Sequence, residues 1–403
     1  MVATLAELIS RFWIIGAIAL VVTLVATPVM RALARHNDIV DNPDEPRKRH
    51  DQPIAYLGGL GIFSGWLAGV LAFLFGLTGP GFAAGGAAPF GAEVPIWVLL
   101  GAFVILIVGL LDDVITLRPG VKLAGQFAAA ACLANQRFIL PGTGDETMIV
   151  GEMVVVSLAG EVGAQIPAWA SYGIGTVLLC LFVLGGCNAV NLIDGLDGLA
   201  TGVTAIATAG FLGIAAFILL RAIEPESPLV PQAEFQLVLC MAMLGGLVGF
   251  LCYNFNPASI FMGDAGAMLL GYLCVAIILL FATAAPDGHR YVLAGLVMFT
   301  VPILDTALAM GRRLWLGHPV FRPGPHHSYS QLMRYFDGLG LSRGGRVKCT
   351  VLVLYAIGLV FAALGVLTLY HPLAGFGLAA LAAAGLMVLA NLHSSREIQP
   401  GEA

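Results

Sequence analysis

The chain has 403 residues, of which 59% are hydrophobic and only 11% are charged. The mean hydropathy of +0.92 is far above what a water-soluble globule needs, so the composition excludes an ordinary soluble domain. The formal net charge of −5 says little about partners, because the charged residues are unevenly distributed along the chain.

Apolar segments recur along the whole chain, each near the roughly 20 residues that an α-helix needs to cross a bilayer. They lack the period-two alternation of a membrane β-barrel. We therefore predict an all-α polytopic membrane protein, a single domain over 1–403, with about eleven transmembrane helices. In chain order the predicted spans are 12–34, 57–78, 94–111, 121–137, 171–187, 199–220, 236–253, 267–285, 291–310, 350–369 and 373–392.

Lysine and arginine are concentrated on one side of these predicted spans. Fifteen of the 19 lie in the loops after odd-numbered spans or in the C-terminal tail. The positive-inside rule then places the N-terminus outside and the C-terminus in the cytoplasm. The predicted cytoplasmic loops are 35–56, 112–120, 188–198, 254–266 and 311–348, and they hold all of the polar motifs. On the outer side, 148–166 is predicted to form a short periplasmic hairpin.

Two adjacent acids, Asp112 and Asp113, end the third predicted span in the segment GLLDDV. Neighbouring carboxylates raise each other's pKa unless a cation lies between them. A solvated helix end is the simpler interpretation. Ionisable groups at membrane depth are more often functional, which favours a role in a site.

Four polar residues follow at every third position in NAVNLIDGLDGLATG: Asn188, Asn191, Asp194 and Asp197. A 3₁₀ turn would place them on one face, whereas an α-helix would let only neighbouring pairs share a face. Carboxylate and amide oxygens suit a hard cation such as Mg²⁺. The alternative is a polar loop in which these residues cap helices.

A single acid, Asp264, lies between apolar and small residues in NFNPASIFMGDAGAM. Gly263 and Gly266 would let the backbone approach a ligand, and the following helix would direct its N-terminal amides at an anion. A plain helix cap is the alternative interpretation.

A basic loop, residues 317–334, contains Arg322, His326 and His327. Such side chains bind phosphate, although positive-inside charge alone would account for the arginines. Acids for Mg²⁺ together with a basic loop for phosphate, all at one membrane surface, predict transfer of a phosphoryl group between a soluble and a lipid-borne reactant.

These segments, in this order, resemble the polyprenyl-phosphate N-acetylhexosamine-1-phosphate transferases, the MraY/WecA family. The resemblance rests on DNPDEPRKRHDQPIAYLGGLGIF (41–63), GLLDDVITLRPGVKLAGQ (109–126), NAVNLIDGLDGLATG and NFNPASIFMGDAGAMLLG. The later segment HHSYSQL is similar to the variant of some O-antigen-initiating enzymes, so the chain looks closer to the WecA branch than to MraY.

The resemblance implies Mg²⁺-dependent transfer of a sugar 1-phosphate from a UDP-sugar to polyprenyl phosphate, with release of UMP, in a bacterial inner membrane. Mn²⁺ is an alternative cofactor and a homodimer an open alternative; no nucleic-acid partner is expected. The implied metal ligands are Asn191 and Asp264. The implied catalytic residues are Asp112, Asp113, Asp194, Asp197 and His327. The implied substrate-binding residues are Arg47, His50, Lys122, Asn188, Arg322 and His326.

Two other functions use similar residues. A transporter also contains buried acids, but it would need polar residues at mid-span and on both sides. A phosphotransferase for CDP-activated alcohols uses acids and Mg²⁺ as well, but it packs its aspartates on one pair of helices. The acids of this chain are spread over several loops of one predicted surface, which favours the sugar-phosphate transferase.

Overall fold

The computed structural model describes residues 5–42, 53–77, 95–139, 147–152, 155, 166–221, 230–283, 288–315, 317 and 327–395. Within these ranges the chain is mostly helical. The helices are α1 Leu5–His36, α2 Gly58–Leu74, α3 Ile96–Ile115, α4 Pro119–Ala134, α5 Ala168–Ile193, α6 Leu199–Arg221, α7 Val230–Asn254, α8 Gly263–Leu280, α9 Gly288–Met298, α10 Thr300–Trp315, α11 Ser328–Gly338, α12 Arg343–Tyr370 and α13 Pro372–Ser395. The strands are β1 Val40–Asp41, β2 Ile54–Ala55, β3 Arg137–Ile139 and β4 Thr147–Ile149.

Seven of the described helices are long and apolar enough to cross a membrane: α1, α3, α5, α6, α7, α8 and α12. The pair formed by α9 and α10 is an eighth candidate, and α2 and α13 are shorter apolar helices. The prediction of an all-α polytopic membrane protein is therefore confirmed. The fourth predicted span coincides with α4, which is not one of these candidates, and the count of eleven stays a prediction.

The ninth predicted span, 291–310, is wrong as a single helix. The structure divides it into α9 and α10, which are bent by 62° relative to each other around Phe299. Pro302 explains the break, because it has no backbone N–H and its ring would clash with the carbonyl of Met298 one turn earlier. Proline is tolerated in the first turn of α10, where no such bond is required.

The predicted hairpin at 148–166 is displaced along the chain. The observed β-ribbon pairs β3 with β4 in antiparallel fashion, with Phe138 opposite Met148. Residues 150–152 and residue 155 are helical, so the ribbon ends at Ile149. The rest of the predicted hairpin, apart from residue 155, lies outside the described residues until 166.

Helix α8 lies at the centre of the bundle. It packs chiefly against α3 and α5 and then against α2. Every residue of α8 except Asp264 is buried. Small residues permit the close packing: a side chain at Gly271 would overlap the backbone of Gly186 on α5. Asp264, the one acid of α8, therefore lies at the end of a helix that is otherwise buried.

The described polar motifs meet at one end of this bundle, as their predicted placement on one membrane face requires. Whether that end faces the cytoplasm is a prediction that labelling can check. In a variant without the native cysteines, we expect Trp169→Cys to react with an impermeant thiol reagent in intact cells and Asp337→Cys to react only after lysis. Both side chains are well exposed. Labelling of Asp337→Cys in intact cells would reverse the assigned orientation.

Candidate active site

The first part of the site is a lysine side chain whose ammonium group lies between two carboxylates. The Lys122 ammonium on α4 contacts Asp112 Oδ2 on α3 and lies 2.8 Å from Asp264 Oδ2 on α8. The other oxygen of Asp112 accepts a hydrogen bond from the backbone N–H of Leu117, at 2.7 Å. The consecutive helices α3 and α4 are therefore joined to the distant α8 at one point, which brings together Asp112, Lys122 and Asp264, three of the residues proposed from the sequence.

Asp113 contacts a different part of the site from its neighbour Asp112. Its two carboxylate oxygens accept hydrogen bonds from the backbone N–H groups of Asp264, at 2.7 Å, and Ala265, at 3.0 Å. These are among the first amides of α8, which have no partner inside the helix. Gly263 has a φ of 68°, and a side chain there would overlap the Asp113 carboxylate. Asp113 thus caps α8 from the adjacent helix and fixes the backbone that carries Asp264.

The polar residues at every third position diverge in direction. Helix α5 continues to Ile193, so Asn188 and Asn191 lie on an α-helix and not on a 3₁₀ turn. The Asn191 amide donates to Asp264 Oδ1 at 2.8 Å, whereas Asn188 donates to Gln126 Oε1 at 3.0 Å and to the Leu184 carbonyl. Asn191 therefore lies directly beside Asp264. Asn188, which was proposed from the sequence to bind substrate, contacts Gln126 on α4.

Asp194 and Asp197 occupy the turn between α5 and α6. Desolvation, together with the carboxylates of Asp264 and Asp113, raises the pKa of Asp194 to about 8. Asp197 Oδ2 accepts hydrogen bonds from the Asn256 amide, at 2.8 Å, and from the backbone N–H of Ala258, at 2.9 Å. Asp194 therefore lies close enough to Asp264 and Asp113 for their negative charge to raise its pKa. Asp197 binds the loop that leads into α8.

If Asn191 and Asp264 bind one cation, their loss should not be additive, because groups that act as a unit fail together. We expect Asn191→Ala/Asp264→Ala to have a kcat little below that of the worse single variant. If the two residues only support helix ends, each substitution would instead cost about 1 kcal/mol of stability and leave kcat unchanged. Measuring kcat and the melting temperature for both singles and the double decides between these outcomes.

The loop before α2 lies against the start of α8. The backbone N–H groups of Gly58 and Gly59 donate to the carbonyls of Phe261, at 3.0 Å, and Met262, at 2.9 Å. A side chain at Gly59 would overlap the backbone of Gly266. This contact places residues 53–57, the described end of the first polar loop, beside the start of the helix that carries Asp264. Arg47 and His50, proposed from the same loop, lie outside the described residues.

His327 belongs to a second cluster, which it forms with the buried residues Asp305 and Arg313. Its Nδ1 lies 2.8 Å from Asp305 Oδ2, and its Nε2 lies 3.4 Å from Arg313 Nη2, with both partners on α10. Asp305 Oδ1 accepts a hydrogen bond from the backbone N–H of Ser328 at 2.7 Å. Of the other basic-loop residues proposed from the sequence, Arg322 and His326 lie outside the described residues.

Tyr329 connects the two clusters. Its ring stacks on His327 with centroids 5.3 Å apart and an interplanar angle of 15°. Its hydroxyl end lies against Gly195, where any side chain would overlap it. A glycine in the DGLDG turn is therefore required as the contact surface for the segment that carries His327.

Replacing Gly195 tests this connection. We expect Gly195→Ala to lower kcat at least about tenfold, which is about 1.4 kcal/mol, because the methyl group displaces the Tyr329 ring. Tyr329→Ala removes the overlapping ring, so the double variant should be no worse than Tyr329→Ala alone. If the two losses simply multiply in the double variant, Gly195 and Tyr329 act independently and the proposed connection is wrong.

Sequence reasoning gave no role to Asp305, Arg313, Tyr329 or Asn256. A signal existed for Asp305, since an acid inside an apolar span is a functional candidate by default. Arg313 could not be separated from ordinary positive-inside charge. Tyr329 and Asn256 act through contacts between distant segments, and no local spacing reveals such contacts.

The comparisons with known proteins identify the family. The family model described as glycosyl transferase family 4 matches residues 95–282. A probable undecaprenyl-phosphate N-acetylglucosaminyl 1-phosphate transferase of Bacillus subtilis is 32% identical over 344 residues, which cover 85% of this chain and 81% of that protein. This chain belongs to glycosyl transferase family 4. It is therefore an enzyme of the MraY/WecA type, as its motifs indicated.

Further relatives extend over both branches of the family. A decaprenyl-phosphate N-acetylglucosaminephosphotransferase of Mycobacterium leprae is 34% identical, over 80% of this chain and 76% of that protein. A phospho-N-acetylmuramoyl-pentapeptide-transferase of Desulforudis audaxviator is 30% identical, over 86% and 95%. The relatives' names share a transferase activity and differ in the sugar transferred. The family assignment therefore leaves the sugar open.

Proposed function

We propose that the enzyme transfers an N-acetylhexosamine 1-phosphate from a UDP-sugar to polyprenyl phosphate in the bacterial inner membrane. The products are a polyprenyl diphosphate sugar and UMP, and the reaction would begin the synthesis of a cell-envelope polysaccharide. The observation that carries the proposal is the convergence of side chains from α3, α4 and α5 on Asp264, the first acid of α8, at one end of a membrane bundle. UDP-N-acetylglucosamine is the first donor to test, because two of the named relatives are N-acetylglucosamine phosphotransferases.

The donor groups around Asp264 fit a hard divalent cation. The Lys122 ammonium already lies between the carboxylates of Asp112 and Asp264, so this space accepts a positive charge. Within the described residues no three His, Cys, Asp or Glu side chains form a closed metal site. Mg²⁺ needs only one or two carboxylates and completes its shell with water and substrate phosphates. We assign Asp264 and Asn191 as its ligands; the bound ion would neutralise charge on the pyrophosphate.

The chemistry we propose forms one P–O bond and breaks another. A phosphate oxygen of the lipid attacks the β-phosphorus of the UDP-sugar, and the bond from that phosphorus to the bridging oxygen breaks, so UMP leaves with the electron pair. Asp112 would orient the lipid phosphate, and it would accept a proton if the phosphate arrives protonated. Lys122, beside both Asp112 and Asp264, would stabilise the charge that accumulates in the transition state. In the second cluster, Arg313 would contact a substrate phosphate, and His327 would hold the Arg313 guanidinium in place.

The assay of this proposal combines the purified protein with undecaprenyl phosphate and a panel of labelled UDP-sugars. We expect a lipid-linked product and one UMP per product with one member of the panel, in Mg²⁺ or Mn²⁺ and not in EDTA. Asp337→Asn is a matched control, because this exposed acid pairs with Arg346 at the surface and should leave the rate unchanged. No lipid-linked product from any UDP-N-acetylhexosamine would refute the proposed function.

A further inference from the structure

The cluster of Asp305, His327 and Arg313 is buried although all three side chains are polar. Their exposed fractions are 3%, 4% and 3%. Buried polar groups are expensive unless their hydrogen bonds are satisfied, so their relative orientation is tightly restricted. The geometry constrains the proton on the His327 ring in particular, because each ring nitrogen faces a partner of fixed hydrogen-bonding type.

We propose that Asp305 is a positioning residue, which holds His327 as the neutral tautomer with its proton on Nδ1 and its Nε2 lone pair directed at Arg313. A carboxylate only accepts hydrogen bonds, so Nδ1 at 2.8 Å from Asp305 must carry the proton. A guanidinium only donates, so Nε2 at 3.4 Å from Arg313 accepts. One neutral imidazole satisfies both neighbours.

The carboxylate itself is fixed by a second donor. Asp305 Oδ1 accepts from the backbone N–H of Ser328, the first residue of α11, while Oδ2 faces His327. The imidazole is also held on one face by the Tyr329 ring. Asp305 thus determines both the orientation of the ring and the start of the helix that follows it.

The charged groups around His327 act in opposite directions. Asp305 places a negative charge beside Nδ1, whereas Arg313 places a positive charge beside Nε2, and Arg312 and Arg334 contribute further positive charge near the cluster. Because Arg313 faces the only ring nitrogen that lacks a proton, protonation there would set two cations against each other. The cluster therefore keeps an unprotonated ring nitrogen next to the Arg313 guanidinium, and the use of that guanidinium on a substrate phosphate rests on the proposed function.

The variant Asp305→Asn is expected to change the His327 tautomer and to keep the hydrogen bond to the start of α11. The amide oxygen of the substituted side chain can still accept from Ser328, but its NH₂ group would face Nδ1 and can only donate. The imidazole must then move its proton to Nε2, where it opposes Arg313. We expect the tautomer to reverse and kcat to fall at least about tenfold, with a smaller change in KM.

Asp337→Asn is the matched control, because it makes the same change of side chain at an exposed position of α11 that pairs with Arg346 and does not contact His327. We expect this variant to keep the wild-type tautomer and the wild-type kcat.

The measurement is ¹⁵N NMR of protein labelled on its eight histidines, with the His327 signal assigned by its absence in His327→Gln. Protonated and unprotonated ring nitrogens resonate far apart, so the tautomer is read directly and without substrate. A wild-type proton on Nε2, or an unchanged tautomer in Asp305→Asn, overturns the proposal. If Asp305→Asn fails to fold, the wild-type spectrum alone still decides. Failure of the sugar-phosphate assay would not alter this readout, so the two proposals fail separately.

Discussion

Replacement of Asp264 by asparagine is expected to lower kcat at least about a thousandfold, which corresponds to about 4 kcal/mol of lost transition-state stabilisation. The amide preserves the shape of the side chain and removes the charge that faces Lys122 and, in the proposed complex, the divalent ion. The backbone N–H of residue 264 still donates to Asp113, so the start of α8 should remain in place. The measurement is kcat at saturating substrate and Mg²⁺, together with the melting temperature.

The matched control for this variant is again Asp337→Asn, an identical change of side chain on the exposed face of α11. It should retain the wild-type rate and melting temperature. If Asp264→Asn also keeps a near-normal rate at saturating Mg²⁺, Asp264 cannot be a ligand of the catalytic ion.

For Asp113→Asn we expect a loss of both stability and turnover. Asparagine offers one acceptor oxygen where two backbone N–H groups need partners, and it removes a negative charge from the N-terminus of α8. The cost should be about 1–2 kcal/mol of stability. Turnover should fall as well, because one of the two released amides belongs to Asp264. The melting temperature and kcat of the same purified variant test both expectations.

Asp112→Asn provides the comparison, since this neighbour contacts Lys122 and the Leu117 amide and does not cap α8. It should reduce kcat with a smaller loss of stability. If Asp113→Asn lowers only kcat and leaves the melting temperature unchanged, Asp113 acts on the substrate as a base, and the capping role is wrong.

The sequence predicted the membrane class, the helical fold and the convergence of its polar segments. These predictions succeeded because they rest on properties that each segment carries alone, such as the length of apolar runs and the presence of acids at their ends. Asp112, Asn191 and Asp264 could be grouped in advance, because an acid or amide at the end of a long apolar helix is a functional candidate by default.

The particular partner that each site residue contacts could not be predicted in the same way. Asp112 and Asp113 are adjacent and identical, and only the packing of α3 against α8 directs one to Lys122 and the other to backbone amides. Similarly, α5 remains helical through Asn191, so residues three apart turn toward different neighbours. The break before α10 did have a local signal in Pro302, but the span 291–310 was predicted from the length of its apolar run alone.

The central claim is that the cluster around Asp264 transfers a sugar together with its phosphate. The most direct test uses UDP-N-acetylglucosamine labelled on the β-phosphorus, with undecaprenyl phosphate, Mg²⁺ and the purified enzyme. We expect the label to enter the lipid fraction while unlabelled UMP is released, and we expect Asp264→Asn to abolish both. Label that leaves as UDP while the sugar enters the lipid would mean that only the sugar is transferred, and it would contradict this account of the site.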